Sequence, residues 1–237
     1  MNIRMIKIAL FLCAIALLPA TSAFAQKDKG KELRDAVKTS QKATKTLNEI
    51  MRISDKSIPR DLLNRAKAVA VFPNVLKAAF IVGGHGGKGV ISRKLPSGWG
   101  APAYFKIGGG SLGFQIGASS SDVVMLFMTD DSLKNLLEDK FEIGGEAAAA
   151  AGPIGRTAKA TTDAQLQAAI LSYSRSKGLF AGISLTGAVI SADNDANQAV
   201  YSLDARDLLT GANKIAIADI PPATKNFQEA LTNYTRF

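Results

Sequence analysis

The chain has 237 residues, carries a formal net charge of +9 and contains a single cysteine, Cys13. One cysteine excludes an internal disulfide and a zinc site built from several cysteines, so an apolar core must hold the fold. The only histidine is His85, which leaves most nucleophilic and zinc chemistry without its usual side chains. The composition therefore predicts a protein that is not an enzyme and that holds no cofactor and no metal.

Residues 1–25 have the pattern of a secretory signal. Arg4 and Lys7 give a positive start, residues 8–18 are apolar, and residues 23–25 form the small-x-small pattern that signal peptidase cuts after. The apolar run is too short to span a bilayer, so an uncleaved anchor is the weaker alternative. We expect an exported protein, periplasmic or secreted, that associates peripherally with a membrane.

Helical periodicity follows this signal, between residues 31 and 53. At about 100° per residue, a thin apolar stripe falls on one side and a row of basic side chains on the other. Such a basic face suits an anionic membrane. We do not expect nucleic acid as a partner, because the chain is predicted to be exported and this segment has no aromatic residue to stack on bases. The candidate lipid-binding residues are Lys31, Arg34, Lys38, Lys42, Lys45, Leu33, Val37, Leu47 and Met51. The alternative is an ordinary helix that docks on the domain and leaves its basic face in solvent.

From residue 68 onward the chain consists of short β-rich runs that end at glycine or proline. This punctuation predicts an antiparallel, strongly curved sheet, either barrel-like or sandwich-like. Residues 123–128 show no polar alternation, so we expect both faces of that strand to be covered. The expected strands are residues 68–72, 79–82, 90–95, 103–107, 111–118, 122–129, 168–174 and 179–190. Residues 147–151 fit either a helix or a strand.

Short helices complete an α+β fold class. They are expected at residues 60–67, 131–139, 195–201, 204–210 and 223–234. The division that follows is a signal peptide at 1–25, a basic amphipathic helix at 26–57, a core at 58–211 and a C-terminal tail at 212–237, which is helical in part.

Two glycine patterns, at residues 84–89 and 108–113, match the dinucleotide-binding spacing. That motif works only where a helix follows the glycines, and both patterns lead into strand-like runs, so we interpret them as β-structure. The same glycines spell a nucleophile elbow around Ser111, but the triad needs a histidine later in the chain and His85 precedes it. A calcium-loop pattern that begins at Asp193 has Gln198 where glycine is required, so we prefer the start of a short helix there.

Beyond these motifs, the sequence pattern resembles one family, the SYLF domain, which is also called the yeast-type actin-binding domain. The resemblance covers about residues 58–211, and it is the order of many short pieces that makes it specific. These pieces include Ile58-Pro59, Ala66-Lys67-Ala68, Trp99-Gly100-Ala101-Pro102, Asp122-Val123-Val124, Gly152-Pro153-Ile154-Gly155-Arg156, Ser176-Lys177-Gly178-Leu179-Phe180 and Ala196-Asn197.

The resemblance implies membrane-lipid binding through a basic amphipathic helix ahead of the core. Phosphoinositides are the usual ligand of eukaryotic members, and some members bind actin. For an exported protein we expect phosphatidylglycerol or cardiolipin instead. The alternative is a structural or protein-interaction module of the cell envelope, an actin-binding-like domain without actin, in which residues 179–190 and the glycine-rich turns hold a protein or glycan partner.

Overall fold

The computed structural model describes residues 20–53, 57–80, 82–112, 117–138, 141–145, 147–155, 168–183, 185–211, 215 and 220–235. Residues 1–19 of the expected signal, residues 113–116 of the strand expected at 111–118, and most of residues 212–219 lie outside that description. Within the described part, no helix combines the length and the apolar character needed to cross a membrane.

The chain folds as a mixed α+β structure around one sheet. The helices are α1 Ala20–Met51, α2 Arg60–Arg65, α3 Asp130–Leu136, α4 Asn194–Tyr201, α5 Ala205–Thr210 and α6 Pro222–Thr235. The strands are β1 Ala68–Phe80, β2 Val82–Leu95, β3 Gly98–Trp99, β4 Ala103–Leu112, β5 Gly117–Phe127, β6 Phe141–Glu142, β7 Ala149–Ala151, β8 Ile170–Ser176, β9 Leu179–Gly182 and β10 Val189–Ala192.

The sheet has the order β6-β10-β4-β2-β1-β5-β8-β7 and curls into a half-barrel, with β3 added to β2 and β9 added to β8. The pairs along this path are antiparallel except for β7 and β8, which run parallel. The expected fold class, an antiparallel and strongly curved sheet with an N-terminal helix and C-terminal helices, is confirmed.

Each face of the sheet has its own core. Alternate residues of β1, β2, β4 and β5 face α1, α2 and α6, and this first core includes Val71, Val90, Tyr104 and Val124. The residues between them face α3 and α5 and form the second core, with Phe72, Phe105 and Met125 among its members. Residues 123–127 are fully or almost fully buried, as their unbroken apolar run predicts.

Pro73 does not end the first strand, contrary to expectation. β1 continues through it because the register shifts between Phe72 and Val75, which forms a bulge. Proline is tolerated at a bulge, where no ladder amide is needed. The next residue, Asn74, takes a positive φ of 52°, and its backbone N–H donates to Oδ1 of Asp122 at 2.9 Å. A side chain therefore replaces the lost ladder bond.

The long strand expected at 179–190 is also wrong, because the chain splits it into β9 and β10. Between them, the N–H of Ala188 donates to the carbonyl of Leu185 at 3.1 Å, and Gly187 has a φ of 82°. This turn carries β10 away from β8 and onto β4. The small residue Gly182 does admit another backbone, as expected of small residues on a strand, and that backbone is Gly152 of the same chain.

The strands expected at 79–82 and 111–118 are not separate strands: their described residues are the end of β1 with the start of β2, and the end of β4 with the start of β5. The other elements lie close to their expected positions. Of the ambiguous residues 147–151, the last three form the short strand β7, paired with β8. α1 begins at Ala20 and so starts well before residue 31. Residues 20–25 of the predicted signal are therefore its first residues, and cleavage after Ala25 would shorten the helix but keep its buried positions from Ala36 onward.

Candidate functional site: the N-terminal helix and its anchors

The N-terminal helix α1 lies across the sheet on a seam of small and apolar residues. Its buried positions follow a spacing of four and three residues, which keeps one side of a helix against a surface. The first three are small, so the helix comes close to the strands. The buried residues with this spacing are Ala36, Ser40, Ala43, Leu47 and Ile50, and Thr46 beside them is buried as well.

The predicted lipid-binding residues separate into two groups in the structure. The basic residues are all exposed on the side of α1 that faces away from the sheet, and we call them the basic face: Lys31, Arg34, Lys38, Lys42 and Lys45. Of the apolar residues, Leu47 is fully buried in the core, Val37 and Met51 are half-buried, and Leu33 is 38% exposed. α1 thus packs as a docked amphipathic helix with a solvent-facing basic side.

A chain of buried hydroxyl groups holds α1 to the sheet. The hydroxyl of Tyr104 on β4 is hydrogen-bonded to Ser40 of α1 at 2.8 Å and to Thr224 of α6 at 3.0 Å. Burial raises the pKa of Tyr104, and these two bonds oppose the rise. Three elements therefore meet at one neutral tyrosine in the first core.

Asn197 of α4 binds the backbone of Tyr104, a role that the sequence did not predict. Its Oδ1 accepts from the N–H of Tyr104 at 2.7 Å, and its Nδ2 donates to the carbonyl of Tyr104 at 3.1 Å. The side-chain amide copies the bonding of a neighbouring strand and fixes α4 to β4. The recurrence of Ala196-Asn197 in the family pattern was the one available signal.

Asp193 is a buried carboxylate between two lysines. It precedes α4, as expected of a helix start, but its oxygens lie 2.9 Å from Nζ of Lys88 and 2.8 Å from Nζ of Lys106. Burial acts to raise the pKa of Asp193, yet the two lysines outweigh it and lower the pKa. Lys88 also lies 3.4 Å from Glu32 of α1. Through Lys88 and Lys106, Asp193 therefore links α1 to β2, to β4 and to the start of α4.

The carboxyl-terminal half of α1 has its own ionic anchor. Arg175 of β8 lies 2.6 Å from Asp122 of β5 and 2.5 Å from Glu49 of α1. The second oxygen of Asp122 receives the amide of the β1 bulge. Sequence periodicity gave no sign of this network, because its members lie far apart in the chain.

The two glycine patterns lie on neighbouring strands, as the strand-like runs after them indicated. Gly84 and Gly86 on β2 pair with Gly110 and Gly108 on β4, whereas Gly113 lies outside the described residues. No helix starts at either described pattern, so neither supplies a phosphate-binding helix end. Among the residues described, no group of three or more potential metal ligands comes together.

Together these observations define the class as an α+β domain in which a basic helix is locked onto a curled antiparallel sheet. The model of one family, described as Ysc84, Las17-binding protein actin regulator, matches residues 108–234. That is more than half of the chain, so the chain belongs to this family, the one with the SYLF domain.

Curated relatives agree with this assignment. SH3 domain-containing YSC84-like protein 1 of Rattus norvegicus is 35% identical over 204 residues, covering 82% of this chain and 58% of the relative. LAS seventeen-binding protein 3 of Saccharomyces cerevisiae is 38% identical over 164 residues, with 67% and 36% covered. Protein YSC84 of the same yeast is 32% identical over 207 residues, with 83% and 44% covered. The chain thus spans roughly a third to three fifths of these relatives.

Proposed function

We propose that this protein is a non-enzymatic, peripheral binder of anionic membrane lipids and that the basic face of α1 makes the contact. The observation that carries the proposal is the separation of the two sides of α1. Most of its apolar side is buried or half-buried against the core, with Leu33 left 38% exposed, while five cations stay exposed on the opposite side. A helix that only closed a core would not need this row of like charges.

The geometry favours electrostatic contact over deep insertion of α1. From Lys31 to Lys45 the basic face extends about 21 Å along the helix at 1.5 Å per residue. A row of that length meets several headgroups of a flat bilayer at once, each cation near the surface contributing about 1 kcal/mol. Leu47 lies in the core beneath it, so the helix binds without leaving the sheet.

The test compares two triple variants of the purified protein in co-sedimentation with vesicles that contain phosphatidylglycerol or cardiolipin. K38Q/K42Q/K45Q removes three charges from the basic face. R60Q/R65Q/K134Q removes three exposed charges from α2 and α3 and serves as the matched control. Deleting α1 would uncover the first core, so surface substitutions are the cleaner change.

We expect the basic-face variant to bind about 100-fold more weakly, from about 3 kcal/mol of lost attraction. The control should bind within about threefold of wild type, and salt should weaken the wild type because exposed charges are screened. Equal losses in the two variants would show that only net charge matters. A wild type that does not pellet with anionic vesicles would reject lipid binding.

A protein-interaction role is the second candidate, favoured by the family description as Las17-binding actin regulators. If the predicted signal exports the chain, its partner is an envelope protein rather than actin. Affinity capture from envelope extracts, with the two triple variants as bait, separates the candidates. A stable partner that both variants retain, in a protein that ignores vesicles, would establish this role in place of lipid binding.

A further inference from the structure

α6 lies beside α1 on the same face of the sheet, and a groove runs between the outer sides of the two helices. Both helices pack on the first core. Near the start of α6, Thr224 shares the hydroxyl of Tyr104 with Ser40 of α1. Further along both helices, the hydroxyl of Tyr234 donates to Oδ1 of Asn48 at 2.9 Å. The helices therefore run side by side in the same direction, and the groove follows them.

Polar residues of both helices line this groove, which we call the α1–α6 groove. Its α1 half has a volume of about 400 Å³ and its α6 half a volume of about 380 Å³, which lie within the range of small-molecule sites. Thr44, Asn48 and Asn226 line both halves, and Ala230 is the only aliphatic residue among the described residues of the lining. The groove is therefore suited to a small hydrophilic group.

The α1 half of the groove carries two cations. Lys45 and Arg52 line it, and both are exposed. Arg52 forms no ion pair with a described residue. Nζ of Lys45 lies 3.8 Å from Glu49, a carboxylate that Arg175 already binds at 2.5 Å. Because Lys45 also belongs to the basic face, this half opens beside the surface that meets the membrane in the function proposed above, and its cations are available to an anionic group there.

The α6 half carries hydrogen-bonding groups in place of cations. No lysine or arginine is among the described residues that line it. The side chains of Asn226 and Asn233 are exposed and hydrogen-bond to no described residue. Each amide offers two N–H donors and one carbonyl acceptor. This half therefore has free capacity for neutral hydroxyl groups, which also donate and accept.

We propose that the α1–α6 groove binds a phosphate that carries a hydroxylated substituent, and that this ligand is the headgroup of a phospholipid such as phosphatidylglycerol. Lys45 and Arg52 bind the phosphate in the α1 half, and Asn226 and Asn233 bind the hydroxyl groups in the α6 half. This inference rests on the lipid-binding function proposed above and adds the class of headgroup that the protein selects. The basic face attracts any anionic surface, whereas placed polar groups in a groove distinguish one headgroup from another.

The lining of the groove favours this ligand over three others. An acyl chain or an apolar peptide side chain would meet only Ala230 as an aliphatic partner among the described lining residues. An inorganic phosphate would leave the amides of the α6 half unused. A serine headgroup would bring its carboxylate toward Glu229 in the α6 half, which disfavours it. A glycerol headgroup has hydroxyl groups and no charge beyond its phosphate, so it uses both halves.

Vesicle composition tests the selection of headgroups. Phosphatidylglycerol and phosphatidylserine carry the same net charge at neutral pH, so the attraction of the basic face is equal for both. At equal mole fraction, wild type should bind phosphatidylglycerol vesicles about tenfold more tightly, because only that headgroup adds hydrogen bonds in the α6 half. Hydrogen bonds between neutral groups are not screened, so the preference should persist at high salt.

N226A/N233A removes both amides without a change of charge. Its binding to phosphatidylserine should equal that of wild type, and its preference for phosphatidylglycerol should be lost. Both side chains are exposed and alanine favours a helix, so the fold is retained.

R52Q and R60Q test the phosphate half as a matched pair. Each removes one exposed arginine, and only Arg52 lines the groove. R52Q should weaken binding to phosphatidylglycerol vesicles about fivefold, whereas R60Q should change it by less than about twofold. Equal losses in the two variants would remove Arg52 from the site and overturn the assignment of the phosphate to the α1 half.

A soluble phosphate with the same hydroxylated chemistry is the other source of such a ligand. Titration with glycerol 3-phosphate, followed by NMR of the side-chain amide signals of Asn226 and Asn233, separates the two sources. We expect these signals to shift only at millimolar concentrations, because a soluble headgroup is not held near the groove by the basic face. Saturation at micromolar concentrations, with equal binding to the two kinds of vesicle, would replace the lipid by a soluble ligand and overturn the proposal.

The outcomes separate this inference from the lipid-binding function. A wild type that binds both kinds of anionic vesicle equally overturns the selection of headgroups alone. A preference for phosphatidylglycerol that N226A/N233A retains places the selective site outside the groove and also overturns the inference. A wild type that binds neither kind of vesicle overturns both proposals.

Discussion

The two ends of the central strands have the same antiparallel hydrogen bonding but differ in what packs on the sheet. At one end Val71, Val90 and Tyr104 lie side by side on β1, β2 and β4, and α1 covers them in the first core. A few residues further along the same strands, the row is Leu76, Gly86 and Gly108, with no described helix above it. Hydrogen bonds between strands are enough to extend the sheet through both ends. A helix packs only on the end that carries large apolar side chains.

Glycine substitutions offer the strongest test of this comparison. At Gly89, on the opposite face of β2, an added Cβ would lie 2.8 Å from Cα of Phe72 and would also press on the Phe72 ring and the carbonyl of Val71. Since backbone must move, we expect G89A to lower the free energy of unfolding by about 3 kcal/mol. G110A, which meets no described atom, should change it by less than about 0.5 kcal/mol.

Urea denaturation measures both glycine variants. A G110A variant destabilised as much as G89A would show that the end with Leu76, Gly86 and Gly108 is covered, and the contrast between the two ends would be lost. A harmless G89A would mean that β1 and β2 separate more easily than their close approach indicates.

The sequence predicts the covered parts of the molecule better than the links between them. Periodicity located α1 and both sides of it, and the unbroken apolar run at 123–128 predicted burial on both faces. It failed at the bulge of Pro73 and Asn74, where the Asp122 carboxylate, 48 residues beyond Asn74, decides the chain path. It also failed between β9 and β10, where a local turn does so. The basic face was visible in the sequence, whereas Asp193 and Arg175 act through partners that only the tertiary fold brings near.

The second largest effect is expected at Asp193, which fastens the covered end beneath α1. D193N leaves Lys88 and Lys106 facing each other without the carboxylate, and we expect a loss of about 2 kcal/mol, less than for a fully buried pair because both lysines reach solvent. The pKa of Asp193 is lowered in the fold, so its contribution is complete above its ordinary pKa of 3.8 and is lost as pH falls below that value.

Acid denaturation of wild type and D193N measures this contribution. The wild type should lose stability more steeply below pH 4 than D193N does. Parallel curves would mean that Asp193 does not titrate differently in the folded and unfolded chain. E32Q is the control, because it removes the other carboxylate that contacts Lys88 and leaves Asp193 in place.

Two buried tyrosines on the α1 face give the next contrast. The Tyr104 hydroxyl bonds to Ser40 and Thr224, whereas that of Tyr173 has no hydrogen-bond partner among the described residues. Y104F should therefore cost about 1 kcal/mol and leave Ser40 unsatisfied, while Y173F should be neutral or slightly stabilising. Thermal unfolding of the two variants ranks them, and the reverse order would place a partner at Tyr173 and none at Tyr104.

The smallest expected effect concerns His85, on the face of the sheet opposite to α1. The ring of His85 lies against β4 there, so closely that a Cβ on Gly109 would be 2.6 Å from its Cε1. Burial, and then the charge of Lys77, lowers the pKa of His85 below its ordinary 6.5. The neutral form is stabilised, so stability should be complete above pH 6.5 and should fall slightly as pH drops below it, because the unfolded chain takes up the proton first.

The only histidine of the chain makes this measurement specific. Between pH 7 and pH 5, the slope of unfolding free energy against pH belongs to His85, since carboxylates titrate lower. H85Q should abolish the slope, and K77Q should reduce it by removing the charge but not the burial. A slope unchanged in K77Q leaves burial as its only cause. A wild type with no slope would mean that the pKa of His85 is the same in the folded and the unfolded chain, which contradicts the burial of its ring against β4.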